Sequence, residues 1–289
     1  MGYVFLVLQV LMFGFGGLLI KSAGTVFSPY MISSLRFVIG ILLLLLYMKS
    51  RHEDARPVLL NRYVAFGGIC KAIHYMGQNI GVMQGASYGG VLIWPVQTLF
   101  AFLASIYIFK EKATGRRILG SALCVSGIVL ISWNGLSLSS FFENGFSAMI
   151  AFVCAGIGAV GFNLTQKQMT SKMDNAKLNC SMFLYGWFAT LLILPATGPH
   201  LESGFNAAGV MCTLILGGIT CFGFLLQGAA LKTVPLLVAT IIQSSSVVLT
   251  IILGVLFYGD PISAYVVVGT VLFLAGIVIV NLPGKKLRA

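Results

Sequence analysis

This sequence predicts an all-α integral membrane fold with ten transmembrane helices, built as two inverted five-helix repeats. Three observations lead there: an apolar composition, a regular series of long uncharged runs, and a second half that repeats the first. Of 289 residues, 58% are hydrophobic and 9% charged, where an average soluble domain is roughly 25% charged. So little polar surface cannot cover so large an apolar content in water. The runs are continuously apolar, whereas the strands of a membrane β-barrel alternate.

The runs are taken in order. A helix needs about 20 mostly apolar residues to cross the hydrocarbon. The run 3–20 opens at Tyr3 with no basic residue before it and no small-residue cleavage site after it, so it reads as a first span rather than a removed signal peptide. The second, 30–48, follows Pro29 and contains Arg36. The third, 63–84, follows Pro57 and contains Lys71. The fourth, 87–109, carries Pro95, and the fifth, 117–134, follows Gly115. The runs 147–166, 178–197 and 206–230 come next, the first of them after Gly145. The ninth, 235–258, opens at Pro235 and is broken by Gln243-Ser244-Ser245-Ser246; the tenth, 263–281, follows Pro261.

The net charge of +11 describes topology, not nucleic-acid binding. With the N-terminus cytoplasmic, fifteen Lys and Arg residues fall in cytoplasmic segments, and the outer segments carry only Lys21. The positive-inside rule then puts both termini in the cytoplasm of a cell (inner or plasma) membrane. An even number of spans is needed for that asymmetry.

Residues from 86 onward align without a gap to those from 235 onward, an offset of 149. Glu111 meets Asp260, Gly120 meets Gly269, and Gly127-Ile128-Val129 meets Gly276-Ile277-Val278. The same offset pairs Gln78 with Gln227. The halves are 1–136 and 137–289, within one membrane domain. Five helices per half is odd, so the second copy is upside down, as in carriers with a midplane site between the copies.

Ala86-Ser87, Pro95, Glu111, Gly120 and Gly127 in the first copy resemble the motif of the drug/metabolite transporter superfamily, in its ten-helix EamA-like branch. Pro235, Asp260, Gly269 and Gly276 take the matching places in the second, with Asp for Glu and Ser244 for the mid-helix proline. The resemblance implies a carrier for amino acids, sugars, nucleotide-linked metabolites or drugs. It also implies a central cavity between helices 1, 3, 4, 6, 8 and 9.

Ionisable groups at membrane depth are costly and point to function. Lys71 lies nine residues past Arg62, about 14 Å into the membrane at 1.5 Å per residue. It needs an anionic or strongly dipolar partner. His74 and Gln78 share its helical face and Tyr75 borders it. Trp94 and Gln97 on helix 4, Asn163 and Gln166 on helix 6, and Gln243 and Ser244 on helix 9 are the other midplane candidates. The expected substrate-contacting set is Lys71, His74, Tyr75, Gln78, Trp94, Gln97, Asn163, Gln243 and Ser244. Arg36 is about 9 Å below its helix end, so it is expected to snorkel as an anchor or serve as a structural hydrogen-bonder. Gln227 is expected to be a repeat-related structural partner to Gln78.

All seven acidic residues fall in loops or at helix ends. A deep lysine without a deep carboxylate points to an amino acid or another carboxylate-bearing solute, and away from a cation. Glu111 and Asp260 are expected to cap helices or pair with neighbouring bases. Gly81-x-x-x-Gly85 and Gly14, Gly16 and Gly17 allow close helix packing. The six cysteines form no C-x-x-C pair and read as small buried residues. No metal or cofactor is expected.

No P-loop or hydrolase motif is present, which leaves a secondary carrier or facilitator and not an enzyme. Its expected partners are a small-molecule substrate, the bilayer, and a coupling proton or counter-substrate. A multidrug or cation exporter and a sugar or nucleotide-type carrier share the architecture. A membrane-embedded enzyme is the alternative from another class. It would need clustered His, Asp or Glu near the lipid–water boundary, and only His74 is deep.

Overall fold

The computed structural model of the chain describes residues 1–85, 93–107, 114–133, 146–197, 206–234, 242–243, 246–259 and 262–281. The described residues form only helices: α1 Gly2–Gly14, α2 Gly16–Ala23, α3 Pro29–Ser50, α4 Arg62–Gln84, α5 Ile93–Tyr107, α6 Gly115–Trp133, α7 Phe146–Met169, α8 Asn175–Thr197, α9 Ala207–Thr233, α10 Ser246–Tyr258 and α11 Ala264–Asn281. Helix is found in each of the ten expected runs. By length and composition alone, five segments can cross a membrane: Gly2–Ala23, Pro29–Ser50, Phe146–Met169, Asn175–Pro195 and Ala207–Thr233. Large apolar side chains such as Leu42, Leu46, Leu192, Leu256 and Val271 point outward, as they do in a helical protein solvated by lipid.

Local chemistry sets several starts. Ser28 caps α3, accepting from the Met31 amide at 3.3 Å, and Pro29 takes the first helical position, where no intrahelical donor is lost. Asn61 caps α4 through the Tyr63 and Val64 amides, and Asn206 caps α9 through Ala208.

The first run is not one helix. It breaks at Phe15 between α1 and α2. The break stands between glycines, and the Gly14 carbonyl there shares the proton of Thr250 Oγ1 on α10, at 3.1 Å, with the Ser246 carbonyl at 2.9 Å. A freed carbonyl at membrane depth needs such a donor. Thr250→Val is expected to cost about 1 kcal/mol of stability, seen as a lower thermal midpoint in detergent, with Thr250→Ser near the parent.

Glycine permits the closest packing. The α6–α11 pair is in contact along its length: a Cβ on Gly127 would lie 2.6 Å from the Gly269 carbonyl oxygen, and one on Gly276 2.6 Å from that of Gly120. Cys124 Sγ approaches the Phe273 carbonyl at 3.8 Å between them. The helix α4 packs on α7 and α8, α3 on α8 and α9, α9 on α1 and α2, α5 on α7, and α10 on α1 and α2. Phe13 packs against both of the larger clusters of buried side chains.

The loop after α3 is tied to α8. Lys177 Nζ pairs with Asp54 at 2.6 Å, the Val58 amide donates to Ser181 Oγ at 2.9 Å, and the Tyr185 hydroxyl donates to the Leu59 carbonyl. The lysine holds the Asp54 carboxyl below the usual carboxylate range. Cys70, Cys124, Cys180 and Cys221 are buried as expected; Cys154 is exposed and Cys212 half-buried, because their faces of α7 and α9 point outward. Glu111 and Asp260 lie outside the described residues.

Candidate functional site

One cavity of about 80 Å³ gathers most of the polar midplane. Lys71, His74, Tyr75, Gln78, Trp94, Gln97, Asn163 and Gln243 line it together with Arg36, Gln227, Ser246, Thr250, Phe13, Gly16 and Gly17. Ser244 lies outside the described residues. The cavity therefore touches the helices that the resemblance implied, and also α3, through Arg36. The α1–α2 break with Gly16 and Gly17, and the first turn of α10 with Ser246 and Thr250, both reach it.

The cationic wall is built on α3 and α4. Lys71 is 2% exposed. Its ammonium has no hydrogen-bonding side chain or carboxylate among the described residues; its neighbours are aromatic faces. Nζ lies 3.7 Å from the Phe224 ring centroid, 4.4 Å from that of Tyr75 and 4.6 Å from that of Phe162. A ring quadrupole attracts a desolvated cation by about 2 kcal/mol or more, against an effective cost of several kcal/mol for taking an ammonium out of water. The expected anionic or dipolar partner is thus replaced by three rings from α4, α7 and α9.

Arg36 does not snorkel. It is 5% exposed, with its guanidinium carbon 3.7 Å from the Tyr75 centroid. Nη1 donates to Gln78 Oε1 at 3.3 Å and Asn79 Oδ1 at 3.4 Å, and Nε to Thr220 Oγ1 at 3.4 Å. The structural hydrogen-bonding part of the expectation holds; the anchoring part fails because acceptors on α4 and α9 draw the side chain inward. Asn79 is itself oriented by Ser33 Oγ and the Pro29 carbonyl, at 2.8 and 3.1 Å. The Tyr75 hydroxyl donates to Thr220 Oγ1 at 2.9 Å, since Thr220 spends its own proton on the Leu216 carbonyl. Every partner of Arg36 is neutral.

His74 donates from Nδ1 to the Ala155 carbonyl at 3.1 Å, because a carbonyl can only accept. That bond seats its ring against α7.

The opposite wall is a relay of carboxamides. Gln243 donates to Gln9 at 2.9 Å, Gln9 to Gln227 at 2.8 Å, and Gln227 to Asn163 at 3.2 Å. Gln9 was not singled out from sequence; an uncharged amide alone in an apolar run is a faint signal. Gln227, the repeat-related counterpart of Gln78, bonds to Gln9 and Asn163 rather than to Gln78. It belongs to this relay and faces the cavity. Gln166 is not at the cavity; it is fully buried and donates to Asn179 Oδ1 at 3.1 Å. No group of three or more His, Cys, Asp or Glu with metal-binding geometry occurs among the described residues.

Comparison with known proteins agrees with this architecture. Curated relatives are an uncharacterized transporter of Clostridium kluyveri, 23% identical with 99% of this chain and 94% of that protein covered, and one of Archaeoglobus fulgidus, 22% identical with 96% and 98% covered. A solved crystal structure superposes with a TM-score of 0.69 at 15% identity, over 97% of each chain, a likeness of fold. The EamA-like transporter family matches twice, over residues 1–133 and 146–282. With most of its length matched in two copies, the chain belongs to the EamA-like transporter family, within the drug/metabolite transporter superfamily.

Proposed function

We propose that the protein is a secondary carrier, working by alternating access, for a small polar metabolite: an amino acid or another carboxylate-bearing solute. The observation that carries the substrate class is the pair of buried cations, Arg36 and Lys71, lining a cavity with no carboxylate among its described residues.

Ten crossings in two copies of opposite orientation, with both termini cytoplasmic, are part of this reading. Its support is a crossed pairing of corresponding residues. At the offset of 149, Gly120 corresponds to Gly269 and Gly127 to Gly276, yet Gly120 meets Gly276 and Gly127 meets Gly269. Cys124 and Phe273 correspond to each other and touch. Such self-complementary contacts between antiparallel mates are what a two-fold axis produces. The cavity walls match likewise: Tyr75 with Phe224, Gln78 with Gln227, Trp94 with Gln243, Gln97 with Ser246. A site on the axis can be approached in the same way from either side.

The test is counterflow in proteoliposomes. Unlabelled carboxylate-bearing solute inside is expected to drive saturable, transient accumulation of the labelled solute, and Lys71→Ala to remove it. A flux that neither saturates nor exchanges would indicate a channel. Saturable transport of an organic cation, unaffected by Lys71→Ala, would sink the substrate assignment.

A further inference from the structure

We propose, resting on the carrier reading above and narrowing its substrate class to carboxylate-bearing solutes other than amino acids, that the cavity is a seat for a compact organic anion of net negative charge, its acidic group held between Arg36 and Lys71, and that zwitterionic amino acids are poor ligands.

Charge balance is the first ground. Arg36 and Lys71 approach the same Tyr75 ring, and both are nearly sealed from solvent. All their partners are neutral. An entering carboxylate supplies what both lack; a zwitterion brings a carboxylate together with a third cationic centre. Four of the acceptors that an ammonium would use are already engaged once. The side-chain oxygens of Gln78, Gln9, Gln227 and Asn163 each accept from another side chain. The described acidic residues Glu53 and Asp54 lie in the loop after α3, and Asp174 just before α8, away from the lining.

Asymmetry is the second ground. Lys71 corresponds to Thr220, and Arg36 to Tyr185, in the second copy. Other lining pairs, Gln78 with Gln227 and Tyr75 with Phe224, correspond more nearly in kind. The two-fold packing therefore does not require the cations; they are an addition to one wall only. Lys71 also holds no cap and bridges no helices by a side-chain hydrogen bond among the described residues; its ammonium meets the rings of Tyr75, Phe162 and Phe224 beside the cavity.

Size is the third. The cavity of about 80 Å³ is several times the roughly 10–15 Å³ that one water needs, which suits a compact solute.

The experiment uses the purified full-length chain. Thermal midpoints in detergent are followed against succinate, pyruvate, alanine, glucose and ethylammonium, with sodium chloride at matched ionic strength as the blank. Counterflow of each solute is measured in liposomes. Succinate or pyruvate is expected to raise the midpoint dose-dependently, with alanine needing at least tenfold more. Lys71→Arg keeps apparent affinity within about tenfold, and Lys71→Met weakens it a hundredfold or more. The Lys71→Arg protein and the anion-against-zwitterion comparison on the parent decide the matter even if Lys71→Met fails to fold. Alanine or ethylammonium binding as well as the anions, or anion binding untouched by Lys71→Met, or no stabilisation by either anion, overturns the proposal. Saturable counterflow of alanine or glucose without anion binding leaves the carrier and removes the anion seat. Lys71-dependent anion binding with no counterflow of any solute leaves the seat and removes the carrier.

Discussion

Lys71→Met is expected to make the protein more stable while removing its hold on an anion. The ammonium is enclosed by Tyr75, Phe162 and Phe224 without a counter-ion. Burying a charge costs several kcal/mol, and three rings return only part of it. Methionine is similar in length, needs no desolvation and makes favourable sulfur–aromatic contacts. Exchanging buried charge for a matched apolar side chain is often stabilising by about 1–4 kcal/mol, and the low end of that range, about 1–2 kcal/mol, is expected here. The check is the thermal midpoint without solute, beside counterflow in liposomes. A structural lysine gives the opposite signs: a lower midpoint with transport intact. A rise in stability with loss of transport is the trade-off of a group kept for function.

Gly127→Ala and Gly218→Ala are expected to move stability in opposite directions, although both sit inside helices. At Gly127 the new methyl would fall 2.6 Å from the Gly269 carbonyl oxygen and 2.9 Å from the Phe273 amide nitrogen. Those atoms are backbone, so α6 and α11 must separate along their contact. Overpacking of this kind costs about 1–3 kcal/mol, more than the roughly 1 kcal/mol that alanine gains over glycine in helix propensity. At Gly218 nothing lies within 4 Å of the new atom, and only the propensity gain remains, about 0.5–1 kcal/mol. Thermal midpoints of the two purified variants against the parent decide this. A Gly127→Ala protein as stable as the parent would mean that α6 and α11 are not held together as tightly as the glycine contacts require.

The membrane fold was legible because its signal is additive. Each long uncharged run reports itself, and no distant residue can cancel it. The cavity was legible for a related reason: a polar group at depth is costly wherever it stands, so Lys71, His74, Gln78, Trp94, Gln97, Asn163 and Gln243 stood out without knowledge of their neighbours. The structure brings them to one wall or another of a single cavity.

What depended on partners was not legible. The helical rise places Arg36 near enough to its helix end to snorkel, and only Thr220 on α9 with Gln78 and Asn79 on α4 turns it inward. The break at Phe15 has no proline to announce it; Thr250, 236 positions from Gly14, meets the carbonyl there with a proton it shares with Ser246. Gln9 is a lone amide until Gln227 and Gln243 arrive from the other end of the chain. Composition and spacing alone established an apolar helical protein with a lysine near its middle that calls for a partner. Which rings surround that charge, which amides face it and where the first helix opens were decided by packing, because hydrogen bonds and ring contacts depend on distances between helices that no run of residues contains.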